Sequence, residues 1–402
     1  MPQVAFFNIP AYGHTNPTLP VVAELVQRGQ QVTYYSKQEL RQAIEQTGAT
    51  FHQFRDVPVS NVTGHDGNLI RFARTLLEVT QDAIPALLPA LSSDPPDYII
   101  HDSLCPWGAY LARLLDVPAI CSVTTFALST QLPLSMPLLE RELLRTAAGS
   151  MADLARFHAL ASELKRSYHI PRPRLRDVFA NHEPLNIVYT SRSFQPSGDT
   201  FDDSYKFVGP SISARPDAPD FPFDALGDQS ILYISLGTVF NQQPHFYRLC
   251  FDAFSSLDRH VVMSVGSKID LAALGSPPSN FILRPYVPQL QLMQQSALFV
   301  THGGMNSVNE ALYYGVPLVV IPQGADQRWV AERVQTLGAG QVVGQERLDA
   351  AKLRRAVEEV LSTPSYREAS ERIGASLREA GGYCRAADEI QEYVRRCRKQ
   401  QG

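Results

Sequence analysis

The residues best suited to acid–base chemistry stand at the ends of apolar runs. His14 lies in the loop AYGHTNP after the run VAFFNIP, and Asp102 closes the run YIIHD. A neutral imidazole can accept a proton near pH 7, and a carboxylate on its far nitrogen fixes the tautomer and stabilises the imidazolium. His14 is therefore a candidate base and Asp102 its candidate partner. Two plainer interpretations stay open: a loop histidine without a role, and an aspartate that caps the next helix.

A second polar group occurs in the carboxyl-terminal half, in THGGMNSVNEALYYG. The pattern predicts a strand that runs into two glycines and then a helix, so that main-chain amides can approach a diphosphate at the positive end of the helix dipole. His302, Asn306 and Ser307 would add side-chain donors there. Ser307 and Glu310 also have the S-x-x-E spacing of a capping box, which alone would explain both residues.

Further polar and aromatic residues flank this segment. In RPYVPQ, Tyr286 offers an aromatic plane for a base and Gln289 an amide for a sugar hydroxyl. In PQGADQ, Asp326 and Gln327 could bind hydroxyl groups as a pair. The turn Gly237-Thr238 in SLGTV follows a predicted strand and is a further candidate phosphate contact. Each of these features alone is a weak indication of function.

Together, the residues from Tyr286 to Gln327 resemble the donor-binding signature of the UDP-dependent glycosyltransferase superfamily. The order W/Y-x-P-Q, H-x-G-x-N-S-x-x-E, G-V-P and D-Q is kept, with matching spacing. With GHTNP near the amino terminus and the run ISLGT, the resemblance covers essentially the whole chain and is closest to bacterial macrolide-type glycosyltransferases. It implies an α/β chain with the GT-B fold, two doubly wound parallel-sheet, Rossmann-like domains facing each other across a cleft.

The resemblance also implies a role for each part of the donor site. Tyr286 would stack on the base and Val287 would meet it through its main chain, while Gln289 and Glu310 would hold the ribose. The diphosphate would be bound by His302, Gly304, Met305 (main chain), Asn306 and Ser307. Asp326 and Gln327 would hold hydroxyls of the donor sugar. The D-Q pair favours glucose over deoxysugars, whereas tyrosine at the stacking position leaves uracil or thymine open.

By the same resemblance, His14 is the base and Asp102 its partner in a single in-line displacement. The acceptor hydroxyl would attack the anomeric carbon while UDP leaves, which inverts that centre and gives a β-glucoside from UDP-α-glucose. Helix amides and His302 would meet the leaving-group charge. The sequence contains no D-x-D motif, so no metal is predicted and no cofactor besides the co-substrate, a UDP-sugar.

Other functions fit the sequence less well. A nucleotide-sugar epimerase, or a deoxysugar transferase that uses a dTDP-sugar, stays as an alternative. A binding module without turnover is disfavoured because both the candidate base and the D-Q pair are present. LGAGQVVG has its glycines at the wrong spacing for a dinucleotide fingerprint, and GxSxG is absent, which disfavours redox enzymes and hydrolases.

Alternating strand and helix patterns predict two α/β domains in this chain of 402 residues. The predicted divisions are an acceptor-binding domain at 1–209, a proline-rich linker at 210–228, a donor-binding domain at 229–385 and a last helix at 386–402 that crosses back to the first domain. Near the amino terminus, Asn16 is expected to cap a helix with Pro17 in its first turn.

The acceptor side carries less information. Residues 68–91 and 124–180 are rich in Leu, Phe, Met and Pro, which predicts an apolar acceptor cavity for a macrolide, phenol or flavonoid, although ordinary helix packing explains much of the same composition. The candidate lining residues are Phe126, Leu132, Met136 and Ala325.

Composition narrows the remaining possibilities. The chain has 36 Lys and Arg against 40 Asp and Glu, without a dense basic run, so nucleic acid is not an expected partner. Five cysteines, with no CxxC pair, are not typical of a disulfide framework or a zinc site. No signal peptide or membrane span is indicated, so a cytoplasmic location is expected. The expected oligomeric state is a monomer or a weak homodimer.

Overall fold

Contacts within the chain divide it into two compact units. The first unit comprises Met1–Ser211 and Ala380–Gly402, and the second comprises Ile212–Glu379. The computed structural model of the protein describes residues 1–54, 68–128, 137–147, 149–215, 219–227, 230–238, 241–324 and 326–401.

The first unit is built on a seven-stranded sheet in the order β3-β2-β1-β4-β5-β6-β7. Every pairing is parallel, as the alternating pattern predicts. The central strands β4 and β5 are buried along their whole length, which is why they are continuous apolar runs rather than alternating ones. The strands are β1 Gln3–Phe7, β2 Gln31–Ser36, β3 Thr50–Gln53, β4 Tyr98–Asp102, β5 Ala119–Val123, β6 Asn186–Val188 and β7 Tyr205–Phe207.

Among the described residues, seven α-helices connect these strands. The longest carries a buried apolar stripe from Ile70 to Leu91 and packs against the helices that follow it. The helices are α1 Tyr12–Thr15, α2 Leu19–Gln27, α3 Arg41–Glu45, α4 Leu69–Ser93, α5 Pro106–Leu115, α6 Pro137–Ala147 and α7 Met151–Tyr168.

The start of α2 corrects one prediction. Asn16 does not cap it: the cap position is Thr18, without a side-chain hydrogen bond. Asn16 instead ends the preceding one-turn helix α1, where its main-chain N–H donates to the carbonyl of Tyr12 at 2.9 Å. The loop after β1 therefore folds into a helical turn of its own before the main helix begins.

The second unit has a six-stranded sheet in the order β10-β9-β8-β11-β12-β13. All its pairings are parallel as well. The strands are β8 Ile231–Ser235, β9 Val261–Ser264, β10 Phe281–Arg284, β11 Ser296–Thr301, β12 Leu318–Val320 and β13 Gly340–Val342. The helices are α8 Pro244–Phe254, α9 Gln289–Gln295, α10 Met305–Tyr313, α11 Gln327–Thr336, α12 Ala350–Ser362 and α13 Pro364–Glu379.

The edge strand β13 was not expected from the sequence. It lies inside LGAGQVVG, a segment for which the sequence predicts no strand. A Cβ on Gly340 would come within 2.1 Å of the carbonyl oxygen of Leu318 on β12, so the glycine is required by close approach of two backbones.

The last helix, α14 (Gly382–Gln401), belongs to the first unit. Its apolar face, which includes Ile390 and Val394, is buried in the same core cluster as Val21 and Leu25 of α2. An ion pair of 2.6 Å between Arg28 and Asp388 joins the same two helices. The helix begins four residues before the predicted start. No helix in the described part of the chain is long and apolar enough to cross a membrane.

Candidate active site

The strand order fixes where each unit can bind a ligand. In the first sheet the chain leaves β1 towards β2 and β3, whereas β4 begins the other half, so the order reverses between β1 and β4. In the second sheet it reverses between β8 and β11. Ligands of doubly wound sheets bind beyond the carboxyl ends of the strands at this reversal. Candidate residues lie at or after the ends of all four strands: His14 and Asp102 in the first unit, Gly237 and His302 in the second. Other donor-site candidates follow β10 and β12 of the second sheet.

In the first unit the structure brings the candidate base and its partner together. His14 Nδ1 lies 2.8 Å from Asp102 Oδ2, and the Asp102 side chain is fully buried while that of His14 keeps 17% exposure. The main-chain N–H of Leu104 donates to Asp102 Oδ1 at 2.8 Å. Asp102 is thus fixed by a local turn. It is not the cap of α5, which begins after Cys105 and has no side-chain cap.

This geometry decides which nitrogen of His14 is basic. A carboxylate accepts only, so the short contact assigns the proton to Nδ1, and the basic lone pair is then on Nε2. A buried carboxylate beside Nδ1 also stabilises the imidazolium that forms when Nε2 takes a proton. The pair can therefore deprotonate a hydroxyl group brought to Nε2.

Thr124 is a third member of this group, and sequence reasoning missed it. Its Oγ1 lies 2.8 Å from His14 Nδ1 and donates to Asp102 Oδ2 at 3.2 Å. Thr124 follows β5, the neighbour of β4 in the sheet. The usable signal was positional: β1, β4 and β5 are adjacent, so the residues after all three reach the same edge.

A buried polar network holds the turn that carries His14. Asn8, one residue after β1, donates from Nδ2 to the carbonyl oxygen of His14 at 2.9 Å and to the Tyr34 hydroxyl at 2.7 Å. Thr18 Oγ1 donates to the carbonyl oxygen of Thr15 at 2.8 Å. Burial raises the pKa of the Tyr34 hydroxyl, so this group stays protonated and serves only in hydrogen bonding. The sequence predicts a loop at His14, just before a helix, whereas the structure places His14 within the one-turn helix α1.

In the second unit His302 sits between two glycines that face each other across the strand reversal. A Cβ on Gly237, after β8, would lie 2.5 Å from His302 Cε1, and one on Gly304 would lie 2.4 Å from His302 Nε2. Gly237 has a φ of +74° and Gly303 one of +86°, which L side chains rarely adopt. Thr238 is exposed beside this turn. The absence of side chains at these glycines leaves room for the His302 ring at the predicted phosphate position.

Desolvation within this glycine frame lowers the pKa of His302 to about 4, and a backbone hydrogen bond with Ser235 opposes the shift. His302 is therefore neutral at pH 7 when the site holds no anion. A neutral imidazole can donate one N–H to a phosphate oxygen, so its contribution to anion binding starts as a hydrogen bond rather than as a charge.

The helix that follows, α10, offers its amino terminus as predicted. Its cap position is Gly304, with no side-chain cap hydrogen bond, and Met305 is its first residue. Ser307 lies inside the helix, so the capping-box interpretation of Ser307 and Glu310 is wrong. Asn306 and Ser307 are partly exposed in this first turn. The amino terminus of a helix attracts an anion, because its first N–H groups have no acceptor within the helix and lie at the positive end of the dipole.

Glu310 instead lies in a side-chain network with two partners. Gln289 Nε2 donates to Glu310 Oε2 at 2.6 Å, and Arg215 Nη2 donates to Glu310 Oε1. The structure therefore brings together the two residues predicted to hold a ribose. Tyr286 is 54% exposed and Val287 is buried, as a ring that stacks on a ligand and a main-chain contact beside it would require.

The D-Q pair marks the start of α11. Asp326 occupies the cap position, and Gln327, the first residue of the helix, is buried. Gln327 Oε1 accepts from the main-chain N–H groups of Gln323 and Gly324, at 2.8 and 3.2 Å. The glutamine thus braces the loop that precedes it. Its amide nitrogen is the end that would donate to a sugar hydroxyl.

Of the predicted acceptor lining, the structure describes Phe126. Phe126 is buried, with its ring centroid 5.7 Å from that of Phe194. Leu132, Met136 and Ala325 lie outside the described residues.

Comparisons with known proteins agree with this architecture. The family described as "Erythromycin biosynthesis protein CIII-like, C-terminal domain" matches residues 248–380. An uncharacterised UDP-glucosyltransferase of Bacillus subtilis, YojK, is 37% identical over 98% of this chain and 98% of its own. Oleandomycin glycosyltransferase of Streptomyces antibioticus is 33% identical over 97% of this chain and 90% of its own. The crystal structure of CalG4, the calicheamicin glycosyltransferase, matches with a TM-score of 0.85 at 30% identity, covering 98% of this chain and 99% of that one.

Two Rossmann-like units with parallel sheets, together with these similarities, define a glycosyltransferase of the GT-B class. The chain belongs to the UDP-dependent glycosyltransferase superfamily and stands close to its macrolide-type enzymes. The family and the fold class predicted from the donor signature are confirmed.

Proposed function

We propose that this glycosyltransferase moves a sugar, with glucose as the expected one, from a UDP-sugar to a hydroxyl group of a small apolar acceptor. The observation that carries the proposal is the arrangement of His14, Asp102 and Thr124, which leaves Nε2 of His14 as a base. Transfer to a hydroxyl group needs such a base, because the attacking oxygen must lose its proton as the glycosidic bond forms.

In the proposed reaction the acceptor oxygen attacks the anomeric carbon in a single displacement. His14 Nε2 takes the hydroxyl proton, the bond between the anomeric carbon and the diphosphate oxygen breaks, and UDP leaves. One displacement inverts the anomeric centre, so UDP-α-glucose gives a β-glucoside.

The leaving UDP gains negative charge at its outer phosphate. The amino terminus of α10 and the N–H of His302 are the groups assigned to stabilise that charge, since both are preorganised donors at the end of β11. On this proposal the reaction needs no metal ion and no cofactor.

The proposal that the donor is UDP-glucose has two kinds of support. Asp326 and Gln327 form the pair that favours glucose by family resemblance, and two relatives from Bacillus subtilis are named UDP-glucosyltransferases. Macrolide and other natural-product glycosyltransferases among the relatives support an apolar acceptor such as a macrolide, phenol or flavonoid.

The test is transfer by a His14→Ala variant. We expect its single-turnover transfer from UDP-glucose to a phenolic acceptor to fall at least about a hundredfold, while the dissociation constant for UDP, measured by calorimetry, stays within about twofold. His52→Ala, which removes an exposed histidine of the same unit, is the control. Wild-type turnover in His14→Ala would remove His14 from the mechanism.

An epimerase and a dTDP-sugar transferase give different products. UDP-glucose incubated without an acceptor would yield a second UDP-hexose if the protein were an epimerase, whereas a transferase leaves the hexose unchanged. Parallel reactions with UDP-glucose and dTDP-glucose separate the two donor classes by initial rate.

A further inference from the structure

Glu310 is a buried carboxylate whose surroundings are unusually well defined. Its side chain is 7% exposed, and that of Arg215, its partner on Oε1, is 39% exposed. A buried carboxylate is stable only with a counter-charge or with hydrogen-bond donors, and here it has both. Arg215 comes from the proline-rich segment that precedes β8, which carried no functional prediction.

Gln289 and a buried tyrosine complete the network. The Tyr233 hydroxyl donates to Gln289 Oε1 at 3.0 Å, so Gln289 must turn its Nε2 towards Glu310. Tyr233 is itself fixed by burial and by stacking on Phe299, with ring centroids 4.7 Å apart. One side of Glu310 is therefore held from the core through Gln289, and the other side is held from the surface by Arg215.

The acceptor capacity of Glu310 then suggests what it can bind. An ionised carboxylate has about four lone-pair positions, and the described residues use two of them, one on each oxygen. The two remaining positions match the two hydroxyl donors of a ribose. A 2′-deoxyribose supplies only one donor and leaves the other position without a partner.

The type of cation also matters. A guanidinium donates its N–H groups in fixed directions within one plane, so the contact of Arg215 with Oε1 restrains rotation of the carboxylate. An ammonium group acts instead as a compact charge that can rotate. Without Arg215, Glu310 would keep Gln289 on one oxygen but lose the contact that fixes the other. The carboxylate could then rotate, and one of the two hydroxyl contacts would weaken.

We propose that Arg215 is a positioning residue that holds Glu310 for a ribose diol and so makes the second unit prefer a ribonucleoside diphosphate over its 2′-deoxy counterpart. The proposal rests on the proposed function, since it takes Glu310 as the ribose-binding group of a UDP-sugar site. Arg215 acts through Glu310 and need not touch the nucleotide.

The test compares UDP with 2′-deoxy-UDP by calorimetry in wild type, Arg215→Met and Arg215→Lys. Wild type is expected to bind UDP about tenfold more tightly than 2′-deoxy-UDP, the effect of one hydrogen bond to a charged group. In Arg215→Met, UDP binding should weaken about five- to tenfold, and the preference should fall to about twofold or less. Arg215→Lys should restore part of the affinity but less of the preference.

Kinetics and a control separate positioning from general damage. In Arg215→Met the KM for UDP-glucose should rise while kcat at saturating donor stays within about twofold. Arg354→Met is the matched control, because Arg354 pairs with Glu358 in the same unit and its side chain is 38% exposed. That variant should leave both affinities unchanged.

A double-variant cycle gives the sharpest outcome. If Arg215 acts through Glu310, adding Arg215→Met to Glu310→Gln should change UDP affinity by less than about twofold. An unchanged UDP to 2′-deoxy-UDP ratio in Arg215→Met, or an equal loss in Arg354→Met, would overturn the proposal and leave the proposed function standing. Failure of wild type to bind either nucleotide would overturn both.

Discussion

Asp102→Asn should disable the base without disturbing its surroundings. The main-chain N–H of Leu104 donates to Oδ1 of Asp102, so an asparagine must keep its oxygen there. Its NH₂ group then takes the place of Oδ2, which faces His14 Nδ1 at 2.8 Å. Because NH₂ only donates, Nδ1 must become the acceptor and the proton moves to Nε2. His14 then has no lone pair at the nitrogen that should receive the acceptor proton.

The expected loss combines this wrong tautomer with the lost charge beside the imidazolium. Changes of this kind at positioned bases lower rates by about 10²- to 10⁴-fold, which corresponds to about 3 to 5 kcal/mol of transition-state stabilisation. Binding of UDP should change less than about twofold, because the residues proposed to bind it belong to the second unit. The isosteric side chain should also leave thermal unfolding nearly unchanged.

The assay is single-turnover transfer from UDP-glucose to a phenolic acceptor, with UDP affinity measured in parallel by calorimetry. Asp97→Asn is the control at the opposite end of β4, where Asp97 accepts from the Gln3 main chain and from Arg398, both at 2.6 Å. This variant should transfer within about twofold of wild type. A transfer rate in Asp102→Asn within about threefold of wild type would refute the assignment of Asp102 as the partner of His14.

Three further predictions follow from the geometry. Thr124→Val removes a hydroxyl that contacts both His14 and the Asp102 carboxylate. The rate of single-turnover transfer should fall about three- to tenfold while UDP affinity stays unchanged. A variant rate equal to that of wild type would make Thr124 dispensable. Gly237→Ala should weaken UDP binding more than tenfold, because its Cβ would lie 2.5 Å from the His302 ring. Gly338→Ala is the control, since Gly338 has a similar φ of +71° and a Cβ there would meet no atom within 4 Å. Equal UDP affinities in the two variants would contradict this prediction. Burial lowers the pKa of His302 from its ordinary value of 6.5 to about 4 in the folded protein. Between these two pH values the unfolded chain therefore binds a proton at His302 that the folded chain does not bind. The unfolding free energy should then fall by up to about 3 kcal/mol as the pH drops through that window, and denaturant titrations of His302→Asn should show a shallower fall.

Much of the site follows from one rule about parallel sheets. Residues after neighbouring strands meet at one edge, which is why the sequence predicts that His14 and Asp102 meet at the edge of the first sheet. The sequence also predicts that glycines lie at a diphosphate-binding turn after β11. The structure places two of the glycines of this region beside the His302 ring. The rule needs only strand positions, and continuous buried runs make those legible.

The missed features lack a local signature. Thr124 has no motif and becomes part of the site only because β5 pairs with β4. Arg215 comes from a segment without apolar periodicity, and its link to Glu310 spans 95 positions. Asn16 and Pro17 form a sound helix-start pattern, yet the chain makes the extra turn α1 first. Gly340 lies in a segment for which no strand is predicted, although close backbone approach demands glycine there. Tertiary contacts, which a local pattern does not show, bring Thr124, Arg215 and Gly340 to their positions.

His14 is proposed to act as the base in transfer of a sugar from a UDP-sugar to a hydroxyl group, with inversion of the anomeric centre. The most direct measurement is the anomeric configuration of the product made from UDP-α-glucose and a phenolic acceptor, followed by proton NMR together with release of UDP. A single displacement should give a β-glucoside and one UDP for each glucoside formed. An α-glucoside, or a second UDP-hexose formed without any glucoside, would contradict it.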